Sequence, residues 1–149
     1  MQPIGLFVGV SWESTAHLDL RVLHIGNGLC NRLSENMHRK ILLLGTAITM
    51  EQDFLNLLLA PFEIIVPSAP DRAEIDRIIF EELIVGLASP ASRKWLQTVI
   101  AKHDDIDAVL PACNELGLLI RREDLDVDIY DSAHCRSLQP VDFALEMRS

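Results

Sequence analysis

The chain has 149 residues, 49% of them hydrophobic, and sets 13 Lys and Arg against 22 Asp and Glu for a formal net charge of -9. That length and apolar content fit one domain with a real core and exclude a disordered acidic chain. An acidic chain without a Lys/Arg run is a poor binder of nucleic acid or anionic membrane, because counterion release needs clustered positive charge. No apolar stretch reaches the roughly 18 to 20 residues that span a bilayer. Ile41 to Met50 and Phe54 to Phe62 are the longest, and both are too short. Met1 to Val10 carries no Lys or Arg and no cleavage site follows it, so it does not read as a signal peptide. Three cysteines, Cys30, Cys113 and Cys135, show neither a CxxC pair nor a disulfide framework. They read as free thiols in a reducing cytoplasm. Cys and His do not fall at zinc spacing, and no metal site is expected.

In chain order, Ile4 to Gly9 reads as a strand and Leu18 to Ile25 as a second one. Gly26-Asn27-Gly28 breaks the chain before a helix over Leu29 to Met37. Ile41 to Leu44 is four aliphatics in a row, which suits a strand buried on both faces of a covered parallel sheet. Thr49 and Gln52 have capping-box spacing, so the next helix is expected to start there. Glu63 to Val66 is a strand stopped by Pro67. Pro70 suits a first helical turn, and Ile75, Ile78, Ile79, Leu83 and Leu87 then follow at helical spacing. Ser89-Pro90 repeats the start signal, with Trp95, Leu96, Val99 and Ile100 on the inner face. Asp107 to Pro111 is a strand, Asn114 to Ile120 a short helix, Val127 to Tyr130 a strand, and Val141 to Met147 a closing helix. Strands alternating with helices argue for an α/β fold with a mainly parallel sheet flanked by helices. Ligands of such sheets sit at the carboxyl ends of the strands, so the residues just past each strand are the ones to inspect.

Cys113 is one of them. A thiol between a strand's end and a helix's start meets unpaired backbone N–H groups, which lower its pKa and make a thiolate base or nucleophile. The plain alternative is a small buried apolar residue, since free cysteine is often buried. Thr46 follows Gly45, where a ligand can approach the backbone, and its hydroxyl can hold a carboxylate or phosphate. Thr49 reads as a cap. Ser11, in Ser11-Trp12-Glu13-Ser14-Thr15, can bind an anion or simply cap a helix. The glycines form neither a Walker loop nor a dinucleotide fingerprint. Glu81-Glu82 reads as a pair of exposed surface carboxylates. The five histidines lie in separate segments without an identifiable partner.

Taken in order, these motifs resemble the aspartate/glutamate racemase family, over Arg39 to Leu145. The residues that carry the likeness are Gly45-Thr46-x-x-Thr49-Met50, Glu81-Glu82-Leu83 with Gly86, Cys113-Asn114-Glu115 followed by Leu118-Leu119-Ile120, Asp131-Ser132, and Val141-x-x-Ala144-Leu145. Ile4 to Ala16 is similar to the opening of aspartate-racemase-like members, although Val8 and Val10 stand where that opening has a glycine and a methionine. The resemblance implies two similar α/β halves with the active site in the cleft between them, each half supplying one cysteine. Residues 39–149 then correspond to the C-terminal, flavodoxin-like half, and 1–38 to a remnant of the N-terminal half whose cysteine motif has no counterpart. Cys30 falls too late in the order to be that cysteine. Asn114 stands where the family usually has threonine, and Arg136 where it commonly has histidine.

The resemblance implies an isomerase: cofactor-independent interconversion of L- and D-aspartate or glutamate by cysteine acid/base chemistry. Cys113 would be catalytic, with Thr46, Asn114, Glu115 and Ser11 on the substrate. One of the two catalytic cysteines is missing, so activity is expected to be impaired. The alternative is an inactive remnant serving as a binding or oligomerisation module. Apolar faces left without the rest of the first half are expected to drive a homo-oligomer.

Overall fold

The computed structural model describes residues 32–51, 59–60 and 62–130. The strands expected at Ile4–Gly9 and Leu18–Ile25, Ser11, Cys30, Cys135 and the helix expected at Val141–Met147 lie outside the described residues.

The sheet has four strands, all parallel: β1 (Lys40–Leu44), β2 (Glu63–Ile65), β3 (Ala108–Pro111) and β4 (Asp128–Ile129), in the spatial order β2-β1-β3-β4. The α/β class and parallel sheet read from the sequence are therefore what the structure has. The aliphatic run of β1 works as expected. Leu42 and Leu44 enter one core with Val109, Ile75, Ile78, Ile79, Leu96 and Ile100. Ile41 and Leu43 enter the other with Ala108, Leu110, Leu33, Leu59 and Tyr130. Alternate side chains leave opposite faces of a strand, so burial on both sides requires apolar residues at every position.

Among the described residues the helices include α1 (Ala47–Glu51), α2 (Ala69–Glu81) and α3 (Pro90–Ala101). Ser68 caps α2 by accepting from the Asp71 N–H, with proline in the first turn, and Ser89 caps α3 by accepting from Ser92 N–H at 3.0 Å. Proline fits there because the first turn's N–H groups lack helical partners.

Two expectations change. The α1 helix begins at Ala47, so Thr46 rather than Thr49 is its cap: Thr46 Oγ1 accepts from the Thr49 N–H at 3.4 Å, and the Thr46 carbonyl accepts from Met50 N–H at 3.0 Å. Gly45 lets the chain turn directly out of β1, which places the cap three residues early. The second change is at Leu87. The run of apolar spacing from Ile75 does not continue as one helix; α2 stops at Glu81, a 3-10 turn covers Leu83–Val85, and Gly86 adopts φ 80°. Leu83 is buried, but the left-handed step at Gly86 turns the chain so that Leu87 is exposed. Among the described residues no helix is long and apolar enough to cross a membrane.

Candidate functional site

The order β2-β1-β3-β4 places a topological switch point between β1 and β3, because the chain leaves β1 to one side and returns on the other. Ligands of open α/β sheets bind outside the carboxyl ends of the strands at such a point. The residues there are fixed by register. Leu44 pairs with Pro111, and the Ala112 N–H donates to the Leu44 carbonyl at 2.7 Å. Gly45 and Ala112 come next, then Thr46 and Cys113 (one on each side of the switch point). A Cβ on Gly45 would stand 3.6 Å from the Ala112 Cβ but 3.2 Å from Thr49 Cγ2, so the bare glycine keeps the α1 turn closed on itself.

Cys113 is half-buried against the core on the α2/α3 side and is a free thiol. Its Sγ–H donates to Glu115 Oε2 at 2.8 Å. Burial pushes the thiol up to about 11, and the hydrogen bond to the Glu115 carboxylate pushes in the same direction. The backbone N–H groups of Glu115 and Leu116 do pull the pKa down, as the sequence suggested, but they are the weaker influence. The expectation of a lowered thiol pKa is thus reversed. The helical segment after Cys113 is a five-residue 3-10 turn, Asn114–Leu118, and Cys113 faces an acceptor carboxylate inside it. Glu115 moves the opposite way: accepting from Cys113 holds its carboxyl below the usual carboxylate range. At pH 7 a thiol at about 11 is ionised in about one molecule in ten thousand. The resting pair is a neutral thiol on an ionised carboxylate.

Thr46 is half-buried, and its hydroxyl lies 2.9 Å from the Thr49 hydroxyl. Two hydroxyls share one hydrogen bond, so one O–H proton of the pair is left to donate outward. Sequence reasoning missed a third partner. Asp76, from α2, accepts the Ala47 N–H at 2.7 Å and so occupies the start of α1. No local pattern marks a contact 29 residues away. Of the residues proposed from sequence, Thr46, Cys113, Asn114 and Glu115 all lie at this end of the sheet; Asn114 is exposed on the 3-10 turn. Ser11 lies outside the described residues. Among the described residues no group of three or more His, Cys, Asp or Glu could hold a metal ion.

A protein from Yersinia pestis described as a candidate Asp/Glu racemase superposes on the chain with a TM-score of 0.82 at 33% identity, over 88% of this chain. An aspartate racemase homologue from Pyrococcus horikoshii OT3 does so with a TM-score of 0.76, also at 33% identity, over 85%. The chain belongs to the aspartate/glutamate racemase family. It covers 59% and 57% of the lengths of those two relatives. An aspartate racemase of Picrophilus torridus, 22% identical over 82% of this chain and 52% of its own, shares the fold with a TM-score of 0.65. No protein-family model matches the chain. The chain thus spans little more than half the length of these relatives, and its sheet carries a cysteine at the switch point.

Proposed function

We propose that the chain is a cofactor-independent acid/base half-site acting at the α-carbon of a small acidic amino acid, aspartate or glutamate. The observation that supports this most is the placement of Cys113, hydrogen-bonded to Glu115, past the carboxyl end of β3 in a racemase-family sheet. Racemisation moves a proton off one face of the α-carbon and onto the other, and needs the developing carbanion stabilised at its carboxylate. A neutral thiol suits the second task. The Cys113 S–H bond breaks as the new α-C–H bond forms, leaving a thiolate beside Glu115. In the reverse sense the thiol proton leaves to solvent, and the thiolate so formed takes the α-proton and becomes a neutral thiol again. Thr46 and Asn114 donate to the substrate carboxylate, with Ser11 assigned to the same task from sequence. The second oxygen of Glu115 faces the substrate ammonium. The free thiol at Cys113 fits a reducing, cytoplasmic setting.

The test is α-proton exchange. Purified protein is incubated with L-aspartate and L-glutamate in deuterated water, beside Cys113→Ala, and α-deuteration is followed together with D-isomer. Deuteration that vanishes in the variant supports the half-site. D-isomer that also vanishes shows a second base at work. A second reading, an inactive remnant that binds or assembles, draws on the coverage of 59% and the protonated resting thiol. A folded chain with no exchange on either substrate decides for it.

A further inference from the structure

The two sides of the switch point are anchored unequally. Past β3, Leu116 and Leu119 are 0% and 1% exposed and fasten the turn that follows Cys113 into the core. Past β1 the apolar anchor is slight: of the five residues of α1 Met50 is the buried one, and Ile48 is exposed. Five helical residues gain little from their own hydrogen bonds. A side chain from another element holds their start. Asp76 stands in the middle of α2, half-buried beside Ile75, Ile78 and Ile79, each 1% exposed. From that rigid mount its Oδ1 accepts the Ala47 N–H at 2.7 Å. Among the described residues this is the hydrogen bond that ties the start of α1 to a second element.

We infer that Asp76 is a positioning residue: through the Ala47 N–H it fixes the direction of the Thr46 hydroxyl, and so sets how tightly the substrate carboxylate is held. The inference rests on the reading of Thr46 as a carboxylate donor. The peptide unit between Thr46 and Ala47 is planar, so it turns as one body. Both of its polar ends are bonded. The Thr46 carbonyl accepts from Met50 N–H at 3.0 Å, and the Ala47 N–H donates to Asp76. The first bond lies within α1 and moves with it; the second refers the peptide to α2. Thr46 Cα belongs to the same plane, which leaves rotation about Cα–C and Cα–Cβ. Thr46 Oγ1 meets the Thr49 hydroxyl at 2.9 Å and the Thr49 N–H at 3.4 Å, and these contacts close both rotations. On the other side of Thr46 stands Gly45, the residue type that restrains a chain least. Without Asp76 the whole unit joins the sheet through that glycine. Asp76 also occupies the first N–H of α1, so a substrate carboxylate at this end is left to the Thr46 hydroxyl. A hydroxyl aimed away from a carboxylate forfeits a charge-assisted hydrogen bond, because such bonds weaken steeply with angle.

The full chain is compared as wild type, Asp76→Asn, Asp76→Ala, Thr46→Val and Asp76→Ala/Thr46→Val, with folding verified by circular dichroism. Binding of L-aspartate and L-glutamate is read by isothermal titration, and α-proton exchange at saturating amino acid is followed beside it. Asp76→Ala is expected to weaken the Kd by about ten- to a hundredfold, the loss of one hydrogen bond to a charged group. Exchange at saturation should fall by less than about threefold, because Cys113 keeps its surroundings. Asparagine keeps an oxygen for the Ala47 N–H, so Asp76→Asn restores binding to within about threefold of wild type. In the Thr46→Val background Asp76→Ala weakens binding by less than about twofold, since the hydroxyl it directs is gone. A cap that only stabilises α1 produces no such coupling. Ala47→Pro breaks the same bond from the donor side at a first helical position, where proline is tolerated, and repeats the comparison should Asp76→Ala fail to fold. Asp76→Ala that binds within about twofold of wild type overturns the inference. So does a loss that persists in the Thr46→Val background, or one that asparagine does not restore. The expected pattern of binding without any α-proton exchange overturns the half-site reading and leaves Asp76 standing. Exchange in a wild type whose binding is indifferent to Asp76 does the reverse. A wild type that binds neither amino acid overturns both.

Discussion

Replacing Glu115 with Gln tests the physics of the site without asking for activity. In the native chain two influences raise the Cys113 thiol: burial first, then the hydrogen bond and charge of the Glu115 carboxylate at 2.8 Å. Glu115→Gln removes the charge and keeps the shape. A unit charge at this range, in a half-exposed setting, is worth about one to two pKa units. The thiol should fall from about 11 by that amount and stay above its ordinary value, because burial remains. Thiolate at pH 8 then rises by about ten- to a hundredfold, while the lower pKa blunts its nucleophilicity with a Brønsted slope of about 0.4 to 0.5. The net expectation is alkylation by iodoacetamide about three- to tenfold faster at pH 8, with a titration midpoint displaced downward. The assay uses the Cys30→Ser/Cys135→Ser background so that one thiol reacts. An unchanged or slower rate would mean that Glu115 does not hold the thiol proton, and the neutral-thiol reading would fail with it.

Gly45→Ala should destabilise the chain by about 1 to 2 kcal/mol in urea denaturation, because the new Cβ meets Thr49 at 3.2 Å and forces the Thr46–Thr49 hydroxyl pair apart. Met37→Gly should stabilise it by about 1 kcal/mol, seen as a higher Tm: Met37 is exposed, holds φ 55°, and sits where Met37 N–H and His38 N–H close back on Ser34 and Leu33 after the helical residues 32–35. Asp107 accepts from the backbone N–H groups of Arg39 and Lys40 at 2.7 and 2.8 Å, and these bonds hold its carboxyl below the usual range. Its folded pKa is therefore below the unfolded one, so its contribution is present at neutral pH and is lost as pH falls through the folded value. Asp107→Ala should lose about 1 kcal/mol at pH 7 by denaturant titration, and the gap to wild type should close in acid.

The sheet was legible because its signals are local. Four aliphatics in a row at 41–44 admit few readings other than a doubly covered strand, and Ser89-Pro90 fixes a helix start within one turn. The end of α2 was not legible. Leu87 keeps the apolar spacing of Ile75 and Ile79, and only the left-handed Gly86 removes it from the helix. The site divides in the same way. Position past a strand picked out Thr46 and Cys113, since topology alone takes them to the carboxyl end. The sign of the Cys113 pKa shift could not be read there, because it depends on how deeply the thiol is packed and on which way Glu115 turns. The choice between Thr46 and Thr49 as cap turned on three residues of register. The Asp76 contact joins elements 29 residues apart, a separation at which sequence carries no spacing signal.

Glu82 shows how a motif can matter without touching the chemistry. Beside the exposed Glu81, it reads as surface charge, yet its carboxylate accepts from Ser92 Oγ at 2.6 Å and from Arg77 at 3.0 Å, and the Ser92 hydrogen bond is the first cause of its lowered pKa. Ser92 is 7% exposed and is tied in turn to Ser89. The next residue, Arg93, donates to the Leu118 carbonyl at 3.0 Å. Adjacent residues of α3 thus pin both turns at the carboxyl end: the one after α2 through Glu82, and the one after Cys113 through Leu118. Ser92→Ala should therefore cost about 1 to 3 kcal/mol, since a half-buried carboxylate loses its shortest hydrogen bond. It should also raise amide exchange over 83–87. Glu81→Ala removes only an exposed ion pair with Arg77 and should change stability by less than about 0.5 kcal/mol. Equal effects from the two substitutions in paired denaturation and exchange experiments would show that Glu82 is surface charge after all, and that something other than Ser92 holds the turn after α2.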